Sequence, residues 1–218
     1  MPLSNFSQLK SELSEKDVKL VAVSKTKPTS DILNLYNQGQ LIFGENRVQE
    51  LVQKYEALPK DISWHMIGHL QKNKVKYIAP FVDLIHSVDN LKLANKIDQE
   101  ADKNNRRISI LLQIKIATED SKTGYAFDEL LEVIPELLAL KNIDIHGVMG
   151  MGTFTNDEAI TRSEFKRLIR YFTKLRNLHF KEDSKFSEIS MGMSGDYKIA
   201  IEEGSTMVRI GSLLFGAR

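Results

Sequence analysis

Lys25 stands one residue past Ser24, at the end of the apolar run Val18-Lys19-Leu20-Val21-Ala22-Val23. Burial and nearby cations disfavour an ammonium at such a place. A neutral amine there can attack a carbonyl carbon and form a Schiff base. The plain alternative is a strand-end lysine whose head group reaches water. A second group lies far along the chain, in Met191-Gly192-Met193-Ser194-Gly195-Asp196 and Val208-Arg209-Ile210-Gly211-Ser212. Gly211 lets backbone approach an anion closely. The N–H groups of Gly211 and Ser212 would open a short helix, a favourable place for phosphate, and Ser194 adds a hydroxyl. Glycines that only make tight turns are the competing reading. Arg209, flanked by Val208 and Ile210, carries donors only and stays protonated. It either makes an ion pair inside the fold or faces a ligand.

These residues need a scaffold that brings positions 25, 194 and 209–212 together. Short apolar runs predict strands over 18–24, 41–44, 62–67, 84–88, 108–116, 143–149, 186–191 and 207–210. Helical stripes fall between them, such as Val48, Leu51, Val52 and Tyr55, and Phe165, Leu168, Ile169 and Phe172. Asp89 is the expected cap of the stripe Leu91, Ala94, Ile97 and Ala101. Pro135 predicts a kink, or a late start, in the helix of Leu130, Leu131, Ile134 and Leu137. Eight such alternations predict an α/β fold, a single-domain (β/α)8 TIM barrel over residues 1–218. An additional N-terminal helix bearing Phe6, Leu9 and Leu13 would cover the place of a curtailed eighth helix. An open doubly wound sheet is the alternative, but no glycine-rich dinucleotide fingerprint supports it. In such barrels active residues sit at the C-terminal ends of strands, with phosphate commonly after strands seven and eight. Lys25, Ser194, Arg209, Gly211 and Ser212 all fall there.

Composition removes several classes. With 30 Lys plus Arg against 29 Asp plus Glu, net charge is +1, which gives no electrostatic reason to expect nucleic acid or an anionic membrane. The absence of cysteine excludes disulfides, thiolate metal sites and a cysteine nucleophile. The polar start lacks a signal-peptide core, and no run approaches the ~18 apolar residues of a membrane span. The expectation is a soluble, cytoplasmic protein, and a monomer.

Other motifs carry less. His65 and His69 have metal-like spacing for a helix, but they fall on a strand and its end. Gln71-Lys72-Asn73-Lys74-Val75-Lys76 reads as a solvated basic face. Lys122-Thr123-Gly124 lacks the remainder of a P-loop. Met149, Met151, Met191 and Met193 read mainly as packing.

A lysine and a phosphate cradle in one barrel suggest pyridoxal 5′-phosphate. The chain resembles the pyridoxal phosphate homeostasis protein family, small proteins with the alanine racemase N-terminal barrel. The resemblance rests on AVSKTKP (22–28), FGENRVQE (43–50), WHMIGHLQKNK (64–74), HSVD (86–89), SKTGY (121–125), GVMGMGT (147–153) and the run from 190 to 218. It implies that Lys25 carries the cofactor as an internal aldimine. It implies that Ser194, Gly211 and Ser212 hold the phosphate with Thr206 nearby, and that Arg209 points at the pyridine nitrogen. Asn46, Ile67, His69 and Met193 would line or approach the cofactor. No residue is expected to be catalytic and no metal is expected. An arginine donor disfavours a protonated ring nitrogen, which weakens carbanion stabilisation. The larger racemases also draw a second base from a separate domain, which this chain, ending soon after strand eight, is expected to lack. The implied role is holding, buffering or handing over pyridoxal phosphate to recipient apoenzymes, with effects on amino-acid and keto-acid balance and little turnover. A minimal racemase or lyase and a Schiff-base aldolase are the rivals.

Overall fold

The computed structural model describes residues 6–117 and 123–216. Lys122 and the first residues of the motif at 121–125 lie outside the described residues.

The first half runs α1 (Phe6–Glu15), β1 (Lys19–Val23), α2 (Thr29–Asn37), β2 (Ile42–Glu45), α3 (Val48–Ala57), β3 (Ser63–Met66), a 3-10 turn (Lys72–Lys74), α4 (Val75–Ile78) and β4 (Leu84–Val88). The second half runs α5 (Leu91–Lys103), β5 (Ile108–Gln113), α6 (Phe127–Leu138), β6 (Ile143–Met149), α7 (Glu158–His179), β7 (Glu188–Met193), α8 (Tyr197–Glu202), β8 (Met207–Ile210) and α9 (Ser212–Phe215). Each strand pairs in parallel with its sequence neighbours, and β8 returns to β1 through Lys19 opposite Met207 and Val21 opposite Arg209. The expected eight-stranded closed barrel is the fold.

Strand alternation divides the apolar residues into two sets. Val21, Leu84, Leu111, Met149 and Met207 fill the barrel interior, joined by Ile42, Ile67 and Met151. Ala22, Phe43, Trp64, Ile85, Val208 and Ile210 point outward into the larger sheet–helix layer. The helices supply the facing side of that layer: Ile32 and Leu35, Leu51, Ile97, Ile134, Phe165 and Leu168 are buried. Phe6, Leu9 and Leu13 of α1 are buried too, and this helix packs on β1. Among the described residues, helix α9 after β8 is a single turn.

Local details differ from the sequence reading. β7 begins at Glu188 rather than 186, because Phe186 is used earlier, stacked between Phe172 and Phe180 in the outer layer. β5 ends at Gln113, where Tyr125 N–H takes the Gln113 carbonyl and draws a returning segment alongside. The cap of α5 is Asn90, whose side chain accepts from Leu93 N–H at 2.8 Å, rather than Asp89. Helix α6 starts at Phe127 and carries Pro135 inside it, so the late start is not found. Near the end of β7 the register shifts between Ser190 and Met193. Gly192 occupies that bulge at φ +93°, and a Cβ there would meet the Ala200 side chain at 2.5 Å. A glycine is needed to turn the strand end toward the mouth of the barrel. Among the described residues, no helix is long and apolar enough to cross a membrane.

Candidate functional site

The C-terminal mouth of the barrel opens into a cavity of about 500 Å³. Eight of the expected residues line it: Lys25, Asn46, Ile67, Met193, Ser194, Arg209, Gly211 and Ser212. Alternation explains the first. Val21 faces the interior, so Val23 and Lys25 do as well, and both line the cavity. Asn46 follows β2 and Ile67 follows β3, each one residue beyond its strand.

After β7 and β8 the chain closes on itself. Gly211 N–H donates to Ser194 Oγ at 3.2 Å. The sequence reading left this N–H for an anion. Here it orients a hydroxyl instead, because a serine that accepts through oxygen keeps its own hydrogen free to donate. Gly211 also brings backbone close to β1, where an added Cβ would stand 3.2 Å from the Val23 carbonyl oxygen.

Arg209 is 95% removed from solvent at the floor of the cavity, and burial pushes its guanidinium down to about 10, against the pull of Asp196. It stays a cation at neutral pH. One terminal nitrogen donates to Ser190 Oγ at 2.6 Å and the other to the Gly150 carbonyl at 3.1 Å. Of the two sequence alternatives, the structure favours a ligand-facing arginine, since among the described residues its hydrogen bonds go to neutral acceptors. Five N–H donors serve those two bonds, which leaves capacity for an acceptor in the cavity.

Below Arg209 a polar chain crosses the interior. Ser190 Oγ lies 3.0 Å from His86 Nδ1, and His86 Nε2 lies 2.9 Å from His65 Nδ1. His65 Nε2 is 3.4 Å from Ser63 Oγ near the opposite end. Burial holds the His65 imidazole down at about 3 and pushes His86 well below the usual histidine range. Both rings are neutral at pH 7, so each has one donor and one acceptor nitrogen. Arg209 can only donate, so Ser190 accepts from it and spends its hydrogen on His86 Nδ1. His86 then donates through Nε2 to His65, and His65 through Nε2 to Ser63. The reverse order would leave the buried Ser190 hydroxyl hydrogen without one of these partners.

Two expected residues are elsewhere. Thr206 precedes β8, whereas Gly211 follows it, a separation of about 16 Å along an extended chain. Its hydroxyl accepts from Ile189 N–H at 2.8 Å and donates to Glu188 at 3.1 Å. Glu188 pairs with Lys19 beside a recess at the N-terminal end of the barrel. Thr206 is therefore a strut at the wrong end for a phosphate contact. His69 is 59% exposed in its side chain, 3.5 Å from Asp89, and lines a separate surface recess with Gln71 and Lys72. The strand turns at Gly68, so the side chain after it leaves the cavity. His65 and His69 do not converge, one being inside the barrel and the other outside.

The sequence reading missed part of the wall. Thr153, Phe154, Thr155 and Asn156 line the cavity from the segment between β6 and α7, together with Asp196. Thr153 is tied to Glu164 of α7 through its N–H at 2.6 Å and its hydroxyl at 2.7 Å. Thr153 and Asp196 lay within quoted motifs but were not singled out, and nothing in residue type marks 154–156 as a loop that folds over a mouth.

The arrangement offers an amine, a buried cation with spare donors, and a hydroxyl beside two closely approaching backbone turns. This defines a barrel of the alanine racemase N-terminal class, and residues 3–218 match the family described as alanine racemase, N-terminal domain. A protein of Aquifex aeolicus named pyridoxal phosphate homeostasis protein is 42% identical over 209 residues, covering 94% of this chain and 89% of that one. One of the same name from Synechocystis sp. is 42% identical over 206 residues, covering 92% of each. PipY of Synechococcus elongatus PCC7942, solved with pyridoxal phosphate bound, is 34% identical with a TM-score of 0.89, covering 99% of this chain and all of that one. Alanine racemase of Clostridium difficile 630 shares the fold at 16% identity and a TM-score of 0.80, over 60% of its own length. The chain belongs to the pyridoxal phosphate homeostasis protein family.

Proposed function

We propose that this chain, acting as one barrel domain over residues 1–218, binds pyridoxal 5′-phosphate at the C-terminal mouth and serves its cellular homeostasis with little or no turnover. The observation that carries the reading is the meeting of Lys25, Arg209 and the Ser194–Gly211–Ser212 turns in one cavity. The donor set fits the group: an amine for an aldehyde, a donor-only cation for an unprotonated ring nitrogen, and hydroxyl and backbone donors for a phosphate. When bound, this cofactor supplies an aldehyde that an amine can capture and a ring that can draw electrons from the captured group.

Each residue then has a task. Lys25 captures the aldehyde. Ser194, oriented by Gly211, donates to the phosphate with Ser212. Arg209, held by Ser190, favours the neutral ring nitrogen because two like charges would otherwise meet. That choice weakens the electron sink and suits retention better than carbanion chemistry. Asn46, Ile67 and Met193 form the walls. The cofactor would be buffered or passed to apoenzymes that need it, by a monomer in the cytoplasm, without nucleic acid or membrane as partner. The names carried by the relatives support the same role.

The test is an absorption spectrum of the purified protein, with and without added pyridoxal phosphate, before and after borohydride, followed by peptide mapping. A chromophore whose reduced adduct maps to Lys25 is expected. A protein that stays colourless with added cofactor would overturn the reading. Robust racemase, transaminase or decarboxylase turnover abolished by Lys25→Ala would overturn the claim of low turnover.

A further inference from the structure

Lys25 sits between two backbone positions that are both tied to the second βα unit, behind the sheet and outside the cavity. On its N-terminal side, Ser24 Oγ donates to Glu45 Oε1 at 2.6 Å. The Ser24 carbonyl accepts from Lys54 Nζ at 2.8 Å, and the same ammonium donates to Glu45 Oε1 at 2.7 Å. On its C-terminal side, Thr26 N–H donates to Glu50 Oε2 at 2.8 Å. Glu50 and Lys54 are one turn apart on α3, with 3.5 Å between Oε2 and Nζ. None of the three lines the cavity.

Thr26 is at φ +64°. A β-branched residue in the left-handed region is strained by about 1–3 kcal/mol and persists only where its surroundings impose it. The carboxylate on its N–H is a charge-assisted partner of that kind. The Glu45 and Lys54 side chains are 0% and 9% exposed, so their pairing is costly to break from one side. A buried ion pair and a strained residue on either side of one lysine are a costly way to shape an ordinary turn.

We propose that Glu45, Glu50 and Lys54 are positioning residues that hold the backbone on both sides of Lys25, so that its amine is presented for covalent capture of the cofactor. The inference rests on the cofactor reading above. In capture, the Lys25 nitrogen forms a double bond to the aldehyde carbon, and the carbonyl oxygen leaves as water with the two amine hydrogens. The clamp acts on that step through Lys25 alone. The phosphate turns and Arg209 belong to other strands, so non-covalent recognition does not depend on it.

The test compares two probes on the full chain: pyridoxal 5′-phosphate, and 4-deoxypyridoxine 5′-phosphate, which keeps ring and phosphate but has no aldehyde. Glu50→Ala should weaken binding of the first about tenfold, the worth of one charge-assisted hydrogen bond at the low end of its range. It should change binding of the second less than twofold. Glu50→Gln, which still offers an oxygen to Thr26 N–H, should recover most of the loss. In the cofactor-free protein, Thr26 amide exchange should quicken in Glu50→Ala but not in Glu50→Gln. Parallel loss of both probes would mark a merely structural role and overturn the inference, as would no loss of either. If the unmodified chain takes up neither probe, the cofactor reading fails and the inference falls with it. If the unmodified chain takes up both and the variants lose them together, the inference fails alone.

Discussion

The interior histidines make the barrel sensitive to acid in a window that can be worked out in advance. Folded His65 titrates at about 3, and folded His86 lies well below 6.5, because burial penalises the imidazolium. Lys19 adds repulsion at His65, and Arg209 and His65 add it at His86. In the unfolded chain both return to about 6.5. Between these values the unfolded state binds more protons, so stability is full above pH 6.5 and falls as pH drops through it. Going from pH 7.5 to 5.0 should remove about 2 kcal/mol through His65, with a further loss of the same sign through His86. At pH 5.0 the His65 loss is set by the unfolded value, since the folded value of about 3 lies further down. The assay is urea unfolding of cofactor-free protein at the two pH values, for the wild type and for His65→Gln. The pH-dependent loss should shrink by about 2 kcal/mol in the variant, whatever the variant costs at pH 7.5. Burial lowers His146 and raises Glu45, but these act alike in both proteins and drop out of the comparison. Asp144, held at about 2 by Arg107, titrates below the window. An equal pH dependence in the two proteins would refute the reasoning, because His65 would then titrate alike folded and unfolded.

Three further outcomes follow from contacts at the mouth and in the barrel interior. An added Cβ at Gly68 would stand 2.4 Å from the Asn46 carbonyl oxygen, so Gly68→Ala should displace Asn46 and weaken pyridoxal phosphate binding, read by cofactor titration. Ser194→Ala removes the hydroxyl that Gly211 orients; it should lower cofactor affinity about tenfold in equilibrium dialysis while leaving the unfolding midpoint of the cofactor-free protein nearly unchanged. Leu111→Ala removes a buried side chain from the barrel interior, and should cost about 3 kcal/mol in urea unfolding.

Much of this was legible in sequence because parallel strands buried on both faces announce themselves as short apolar runs. The strands of β4, β6 and β8 fall on the residues expected, and those of β1, β2 and β3 within a residue at each end. Lys25, Arg209 and Gly211 were legible for the same reason, each being a polar or conformationally special residue at the end of such a run. Thr206 was placed wrongly because proximity in sequence to Arg209 and Gly211 says nothing about which end of a strand a residue occupies. His69 failed for a related reason, the turn at Gly68. The polar chain through the interior was not legible at all. Alternation puts His65, His86, Ser190 and Arg209 on inward positions, but they belong to four different strands, and only the closed barrel with its shear brings them into contact. The clamp behind Lys25 was hidden similarly: Lys54 looks like a surface lysine on a helix until its ammonium is found under a buried carboxylate.

The two ends of the proposed cofactor site are supported from opposite sides of the sheet. Lys25 is held from the outer layer by Glu45, Glu50 and Lys54. Arg209 is held from the barrel interior by Ser190, with His86 and His65 behind it. Among the described residues the two sets share no residue and no hydrogen-bond partner, and β1 stands between them. Energetic coupling between substitutions needs shared partners, contact or a common backbone shift. Glu50→Ala and Ser190→Ala should therefore weaken pyridoxal phosphate binding by free energies that add to within about 0.5 kcal/mol in the double variant. On the proposed reading the first acts on capture of the aldehyde and the second on the donor opposite the ring nitrogen, so only Ser190→Ala should also weaken 4-deoxypyridoxine 5′-phosphate. A coupling above about 1 kcal/mol, or equal loss of the second probe in both single variants, would mean that the site responds as one body rather than through two separate supports.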